Sequence, residues 1–301
     1  MRIFMTGASG YVGGVIARHL VAAGHSVTAL ARSEASSAKV AALGALPVPG
    51  SLTDLRVLRD SATAADAVVH VAVDFADPRM GDLEEPALDA LLSGLGGGKA
   101  LVYTSTGLVY PDTGGVPVDE DFPVDPRHSP QPYKVHGERQ VLAADGTAVT
   151  VIRPGLVYGR GGTALLQGMI AGARQQGVVP YVEEGANEWS SVHVDDLAEL
   201  YAAVLAKSSH GVIVNAASAA RTSMRRIAEA VAAVTGTRAV SLTRAQAEQA
   251  MGPYAAVLTR SSPLDPSRAL RLFGWQAGGP SLLEELRSGS YAGPELTVGR
   301  R

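Results

Sequence analysis

Residues 2–14 read RIFMTGASGYVGG, a short apolar run that leads straight into a glycine-rich turn. An apolar strand followed by such a turn and then by a helix is the context in which this pattern predicts a phosphate-binding turn. The first glycine permits a tight turn, the second lets the backbone approach a pyrophosphate, and the third lets helix and strand pack closely. The expected dinucleotide contacts in this turn are Gly7, Ala8, Ser9, Gly10, Tyr11, Val12 and Gly13.

The N-terminal half of the chain alternates short apolar runs with amphipathic stretches. We predict strands over residues 2–6, 26–31, 46–48, 67–73, 100–105 and 148–153, and helices over 11–23, 34–43, 81–95 and 134–143. This alternation is typical of βαβ units. The predicted fold class is therefore α/β, with a Rossmann-type doubly wound parallel sheet and a smaller C-terminal substrate-binding lobe.

The second half of the chain is less regular. Residues 111–132 contain six prolines, which predicts a long surface loop beside the ends of the strands. Further helices are predicted over 164–175, 194–206, 223–235 and 244–250. We predict a dinucleotide-binding domain over 1–155, with 190–217 returning to its sheet, and a substrate-side lobe formed by 156–189 and 218–301.

The composition favours a small-molecule partner. Hydrophobic residues make up 46% of the 301 residues, charged residues 18%, and the formal net charge is −3 with no polybasic run. Neither nucleic acid nor an anionic membrane is therefore expected to bind. Cysteine is absent and no His pair has ligand spacing, so we expect no disulfide and no metal site. We expect a cytoplasmic location, and we leave a homodimer open.

The end of the second predicted strand discriminates between the two nicotinamide dinucleotides. An acidic residue there usually contacts the ribose hydroxyls of NAD, whereas an arginine accommodates a 2′-phosphate. Here the strand ends in Arg32 and Ser33, a guanidinium and a hydroxyl donor. The sequence thus favours NADP(H), and the alternative is that Arg32 is only a solvated surface residue.

With these residues in view, the chain resembles the extended and atypical short-chain dehydrogenases/reductases of the NAD(P)-dependent epimerase/dehydratase type. Besides the glycine turn, the stretches VVHVA (68–72), LVYTSTGLVY (101–110), RPGLVYG (153–159) and SVHVDDLA (191–198) are similar to the family's motifs. The family's Gly-Asp after the third strand is replaced by Gly50 and Ser51. The resemblance implies further cofactor contacts at Ser51, Leu52, Val71, Ala72, Val73, Thr104, Lys134, Pro154, Gly155, Leu156 and Val157.

The family's catalytic Tyr-x-x-x-Lys pair is incomplete in this sequence. The run KVHGE (134–138) resembles the family's Lys-x-x-Gly-Glu and gives Lys134 the lysine role, but Pro130 stands where the tyrosine would be. The nearest tyrosine is Tyr133, and a rival alignment that makes it catalytic leaves Gly137 at the lysine position. We predict the first alignment, with Tyr133 entering from the loop side as the proton donor. The resemblance places the active-site hydroxyl on Thr106.

The substrate pocket is expected above the carboxyl ends of the strands, where open α/β sheets bind ligands. Aromatic residues are few, at 5% of the chain, so those predicted to lie on these loops mark a pocket that suits an apolar metabolite. Two of them, Tyr110 and Tyr158, are also alternative proton donors. The expected substrate contacts are Phe75, Thr106, Tyr110, Tyr158 and Trp189.

These observations favour an NADPH-dependent reductase that acts on a carbonyl group or a conjugated double bond. The first alternative is an epimerase, dehydratase or cyclase of the same fold whose nicotinamide is recycled or idle. The second alternative is a catalytically silent NADP(H)-sensing protein, and its support is the missing tyrosine at position 130.

Overall fold

The computed structural model describes residues 1–74, 77–207, 209–252 and 254–292. Its strands are β1 (Arg2–Thr6), β2 (Ser26–Ala31), β3 (Leu46–Pro49), β4 (Ala67–His70), β5 (Ala100–Thr104), β6 (Ala148–Pro154), β7 (Leu156–Tyr158), β8 (Val178–Val182), β9 (Glu188–His193), β10 (Val212–Ala216), β11 (Arg221–Ser223) and β12 (Arg238–Leu242). Its α-helices are α1 (Tyr11–Ala22), α2 (Glu34–Ala42), α3 (Leu55–Ala64), α4 (Met80–Leu95), α5 (Pro132–Leu142), α6 (Ala164–Gln176), α7 (Val194–Lys207), α8 (Met224–Thr235), α9 (Arg244–Met251), α10 (Tyr254–Leu258), α11 (Ser267–Phe273) and α12 (Leu282–Ser288).

Among the described residues, the main sheet has seven parallel strands in the order β10-β6-β5-β4-β1-β2-β3. Apolar helices cover both of its faces. Leu20 of α1 and Tyr201 of α7 belong to the core on one face, and Leu58 of α3 and Leu88 of α4 belong to the core on the other. Each such buried side chain contributes about 1.5–3 kcal/mol relative to an exposed one. The prediction of a doubly wound Rossmann-type α/β fold is confirmed.

Two small sheets lie outside the main sheet. One has the order β11-β9-β7 and the other pairs β12 with β8. Their core includes Leu166 and Ile170 of α6, Ile227 of α8 and Leu286 of α12. The segment 190–217 is divided between the two regions, because β9 joins a small sheet while β10 returns to the main sheet. The boundary between the two lobes stays a prediction.

Two element boundaries differ from the sequence prediction in ways that affect the site. Strand β4 ends at His70, three residues earlier than predicted, although Val71 N still donates to Thr6 O at 3.3 Å. Helix α5 begins at Pro132, so Tyr133 is helical and does not lie in the preceding loop. Proline is accepted there because the first helical N–H has no intrahelical partner. Among the described residues, no helix is both long and apolar enough to cross a bilayer.

Candidate active site

The glycine turn joins β1 to α1 and has no room for side chains. Gly7 has a φ of +79°, and a Cβ there would lie 2.6 Å from the backbone nitrogen of Ala72. A Cβ at Gly13 would lie 2.2 Å from Gly7 O, so helix and turn are in direct contact. Gly10 caps α1 without a side-chain bond, and its own N–H donates to Gly7 O at 3.0 Å. The free amides of the first helical turn thus form a cradle that fits a pyrophosphate.

A cleft of about 280 Å³ lies beside this turn, between α1 and α2. Two basic residues line it, Arg18 of α1 and Lys39 of α2, together with Ser9 of the turn. Arg32 follows β2, is exposed, and has no hydrogen bond or ion pair within the described ranges. Ser33 is less free, because its hydroxyl accepts from Ser36 N at 3.2 Å as the N-cap of α2. The cleft is therefore electropositive.

Ser51 and Leu52, which are expected to contact the cofactor, follow β3, and Ser51 forms hydrogen bonds to a residue three positions later. The Ser51 hydroxyl donates to Asp54 Oδ2 at 2.8 Å, and Ser51 N donates to the same oxygen at 2.7 Å. These bonds hold the pKa of Asp54 below its usual value. Leu52 packs against the core, and Val73 is 39% exposed. The backbone N–H and the hydroxyl of Ser51 are thus already hydrogen-bonded to Asp54. The expected substrate contact Phe75 lies outside the described residues.

Thr106 lies just past the end of β5, with 9% of its surface exposed. Its Oγ1 accepts from Leu108 N at 3.2 Å and caps a short 3₁₀ helix, Gly107–Val109. That bond uses the hydroxyl as an acceptor, so its proton stays available for a ligand oxygen. Thr104, two residues earlier, has a hydroxyl 2.6 Å from the hydroxyl of Tyr201.

Lys134 lies in the protein interior. It is 2% exposed, and its Nζ donates to Glu84 Oε1 at 2.6 Å and to Thr104 O at 3.0 Å. Burial lowers the pKa of Lys134, and the Glu84 carboxylate opposes that shift. Lys134 is therefore not a solvated lysine at the start of the helix. Its expected contact with the nicotinamide ribose stays a prediction, and one of its three N–H groups is not used by these two bonds.

Glu84 was missed by the sequence analysis. It lies on the buried face of α4 among Met80, Leu88 and Leu91, at positions where the helical repeat calls for apolar residues. A carboxylate at such a position is almost never fully buried unless it is paired. That break in the apolar pattern is a readable signal, although it does not identify the partner.

Tyr133 is the second residue of α5, and its ring centroid lies 5.5 Å from Lys134 Nζ. Its hydroxyl is buried and has no hydrogen-bond partner among the described residues. Burial and the Glu84 carboxylate raise the pKa of Tyr133, which keeps the hydroxyl protonated at neutral pH. A buried hydroxyl without a partner is uncommon and calls for an explanation.

Two of the residues expected to contact substrate are used within the protein. Tyr110 is 1% exposed, and its hydroxyl donates to Asn215 Oδ1 at 2.9 Å and accepts from Arg153 at 2.7 Å. Tyr158 is 2% exposed and donates to Pro280 O at 2.7 Å. Both hydroxyls are engaged in bonds within the protein, which argues against them as alternative proton donors, and these roles stay predictions.

Trp189 of β9 is partly buried, and its Nε1 donates to Arg260 O at 3.0 Å. Arg260 in turn donates to Tyr110 O at 3.1 Å. Residues 260–264 hold the loop after Thr106 in place. Leu264 packs directly against Gly107, since a Cβ added to Gly107 would lie 3.0 Å from Leu264 Cδ1. The indole nitrogen is therefore not free for substrate.

The segment Pro154, Gly155, Leu156 and Val157 passes from β6 into β7 beside the site. Gly155 N donates to Ala216 O at 3.0 Å, and a Cβ at Gly155 would lie 2.5 Å from Ser190 O. The backbone there is closely packed between β9 and β10. The half-buried side chains of Leu156 and Val157 leave an apolar surface at this edge.

The loop 159–163, which follows β7, is fastened from two distant parts of the chain. The Tyr11 hydroxyl donates to Gly159 O at 2.7 Å, and the Tyr291 hydroxyl donates to Gly162 O at 2.8 Å. Arg160 and Thr163 have φ values of 53° and 71°, a region that residues other than glycine rarely adopt. These bonds hold a strained loop against the first residue of α1.

Within the described residues, no group of three or more His, Cys, Asp or Glu side chains is arranged to hold a metal ion. The candidate site has instead a phosphate cradle and a basic cleft. Tyr133 and Lys134 lie beside each other, and Lys134 Nζ donates to Thr104 O, two residues before Thr106. This arrangement suits a nucleotide cofactor and proton transfer to or from a small ligand.

Several known proteins are similar in sequence to this chain. An uncharacterized protein of Schizosaccharomyces pombe is 30% identical over 97% of this chain and 100% of its own length. The dTDP-4-dehydrorhamnose reductase of Streptomyces griseus is 30% identical over 95% and 90%. A ketoreductase of Stigmatella aurantiaca, named for a farnesylated dihydroquinoline-1-oxide, is 34% identical over 66% and 63%.

Among solved structures, the dTDP-glucose 4,6-dehydratase of Bacillus anthracis in complex with NAD has the same fold, with a TM-score of 0.80 at 19% identity over 97% of this chain and 96% of that one. The family model for the NAD dependent epimerase/dehydratase family matches residues 3–217. The chain therefore belongs to the NAD-dependent epimerase/dehydratase family and is an NAD(P)-dependent oxidoreductase of the short-chain dehydrogenase/reductase type.

Proposed function

We propose that this protein is an NADPH-dependent reductase that reduces a carbonyl group or a conjugated double bond of a small, largely apolar metabolite. The observation that carries the proposal is the Tyr133 hydroxyl, which is buried without a partner beside the Lys134 ammonium. A protonated hydroxyl next to a cation is the arrangement that a general acid needs. Two relatives described above are named as reductases, which supports the direction of the reaction.

Three side chains have separate roles in the proposed reduction. The Thr106 hydroxyl donates a hydrogen bond to the substrate oxygen and orients the carbonyl. Tyr133 transfers its proton to that oxygen, or to the α-carbon of a conjugated substrate. The Lys134 ammonium stabilises the tyrosinate that is left, since a nearby positive charge favours the ionised phenol. NADPH, when bound, supplies the hydride that reaches the carbonyl or β-carbon.

The preference for NADPH over NADH rests on the electropositive cleft beside the glycine turn. Arg32 is exposed without a partner among the described residues, and Arg18 and Lys39 line the cleft next to Ser9. A 2′-phosphate on the adenine ribose would meet these cations, and guanidinium geometry suits phosphate. The unphosphorylated ribose of NADH would leave these cations without an anionic partner.

The apolar substrate is supported by how the neighbouring arginines are bonded. Arg160 pairs with Asp195 at 2.9 Å, and Arg260 donates to Tyr110 O at 3.1 Å. A nucleotide sugar needs cations for its diphosphate, and these two are already engaged. Leu156, Val157 and the Trp189 ring offer apolar surface in the same region.

The test is turnover of the purified protein with NADPH and a panel of aldehydes, ketones and enones, followed by the absorbance of the reduced nicotinamide and by product analysis. Release of one NADP+ for each product molecule supports the reductase. Product without net NADP+ release supports the recycling epimerase, dehydratase or cyclase instead. Tight NADPH binding without turnover of any panel member supports a sensing protein.

A further inference from the structure

Five titratable side chains form one buried group, which we call the Glu84 cluster: His70, Glu84, Tyr103, Tyr133 and Lys134. Four of its polar atoms have no hydrogen-bond partner among the described residues, namely His70 Nε2, Glu84 Oε2 and the hydroxyls of Tyr103 and Tyr133. Native interiors leave only a few buried polar atoms unpaired, and several in one place indicate a site with a role beyond packing.

The cluster is organised around one carboxylate. Glu84 Oε1 accepts from Lys134 Nζ at 2.6 Å and lies 3.4 Å from His70 Nε2. The Tyr103 ring stacks on His70, with centroids 5.9 Å apart, and Lys134 Nζ lies 4.8 Å from the Tyr103 centroid. Helix α4 thus delivers the only carboxylate that this group of side chains contains.

His70 lies between Thr6 and Glu84. Its Nδ1 is 2.9 Å from Thr6 Oγ1, which also accepts from Ala72 N at 3.3 Å. Burial lowers the pKa of His70, so the imidazole is neutral at neutral pH. Glu84 therefore has one cationic neighbour, Lys134, and the two form a buried ion pair.

We propose that Glu84 is a positioning residue that keeps Lys134 charged and holds it beside Tyr133. The inference rests on the proposed function in that Tyr133 is the proton donor. It assigns a role to a residue on a helix outside all of the motifs that the sequence analysis singled out.

The other groups that face Lys134 cannot replace the carboxylate. His70 is neutral, and Tyr103 and Tyr133 are phenols whose pKa values burial raises. Glu138, one turn along α5, is committed to Arg153, with bonds of 2.6 and 2.9 Å. Without Glu84, a buried ammonium would have no adjacent negative charge, and desolvation would drive it towards the neutral amine.

The first experiment compares the pH dependence of kcat in Glu84→Gln, Glu84→Asp and the wild type, with Glu85→Gln as the matched control. Glu85 is the adjacent residue, and its side chain is exposed. Activity that needs the ammonium is lost as pH rises through the pKa of Lys134. Removing the Glu84 carboxylate lowers that pKa, so the activity is lost at a lower pH. We expect Glu84→Gln to shift the basic limb by about one pH unit or more, to lower kcat, and to leave KM close to wild type.

Glu84→Asp keeps the negative charge, so the basic limb of its kcat profile should lie close to that of the wild type. The pH profile of Glu85→Gln should match the wild type. A basic limb that does not move in Glu84→Gln would overturn the inference, as would equal shifts in Glu84→Gln and Glu85→Gln.

The second experiment needs no substrate and separates this inference from the proposed function. In the unfolded chain Lys134 has a pKa of about 10.4, and in folded Glu84→Gln it is expected to be lower than in the wild type. A group whose pKa is lower in the folded state loses stability as pH falls below the unfolded value. The urea concentration at the unfolding midpoint should therefore be lower for Glu84→Gln than for the wild type, by a larger amount at about pH 7 than at about pH 10. This pH dependence of the difference should vanish in a Lys134→Met background.

A deficit that is the same at both pH values would mean that Glu84 does not control the charge of Lys134. A wild-type protein that reduces no panel substrate would overturn the reductase proposal alone, because the unfolding measurements would still decide the role of Glu84.

Discussion

Removing the Tyr133 hydroxyl tests the catalytic assignment, because activity and stability should move in opposite directions. Tyr133→Phe keeps the ring, which packs beside Gly81, and deletes only the unpaired hydroxyl. Since that hydroxyl has no partner among the described residues, its removal costs no hydrogen bond. A buried polar group without a partner is itself worth about 1–3 kcal/mol of destabilisation, so the variant should be as stable as the wild type or more stable by up to that amount.

The same variant should lose most of its activity. General acid catalysis typically contributes about 10²–10⁴-fold, so we expect kcat for carbonyl reduction to fall by a factor in that range, with a smaller change in KM. The assay is the initial rate of NADPH oxidation over a range of pH, alongside urea unfolding of the same preparations.

Tyr110→Phe is the matched control. Its hydroxyl is equally buried but is bonded to Arg153 and Asn215, so its removal should destabilise the protein by about 1–3 kcal/mol and should leave the pH profile of kcat unchanged. Wild-type kcat and pH profile in Tyr133→Phe would refute the reasoning and move the proton donor elsewhere.

Three further variants test the rest of the site. Wild-type protein should bind NADPH at least about tenfold more tightly than NADH, because a charge-assisted phosphate contact is worth about 1.5–3 kcal/mol; Arg32→Asp should remove most of that gap in calorimetry, and equal wild-type affinities would contradict the idea. Lys134→Ala should weaken cofactor binding, cut kcat and reduce stability by about 3–5 kcal/mol, because it leaves the Glu84 carboxylate buried without its cation; unchanged kinetics in a folded protein would mean that the lysine has no role in the reaction. Gly13→Ala should abolish measurable NADPH binding, since its Cβ would lie 2.2 Å from Gly7 O, and a variant that still binds like the wild type would show that the turn can relax.

The parallel sheet was largely predictable, because six of its seven described strands are short apolar runs that were predicted as strands; β10 was predicted only as part of the segment 190–217 that returns to the sheet. The strand Ser26–Ala31 has the predicted bounds, and the glycine turn is required by contacts that any Cβ would break. Helix α3 was not predicted, although five of its ten residues are apolar and its buried residues, Leu58 and Ala62, lie about one turn apart. The helical pattern is therefore present in the sequence even where the prediction missed it.

The candidate site was harder to predict, because its decisive contacts join distant residues. Lys134 was recognised from its neighbours in sequence, whereas its partner Glu84 lies 50 positions earlier on another helix. The burial of Tyr110 depends on Arg153 and Asn215, which no local pattern connects to it. The homodimer and the cytoplasmic location stay predictions.

The fastening of loop 159–163 has a consequence for the order of folding. The Tyr11 hydroxyl reaches Gly159 across 148 positions, and the Tyr291 hydroxyl reaches Gly162 across 129 positions. A bond between residues so far apart in sequence can form only after both have been synthesised and the chain between them has folded back. Strained backbone of the kind found at Arg160 and Thr163 persists only where the surrounding structure imposes it. During synthesis, the glycine turn is complete once β4 has joined β1, whereas this loop acquires its final shape only after residue 291 has left the ribosome.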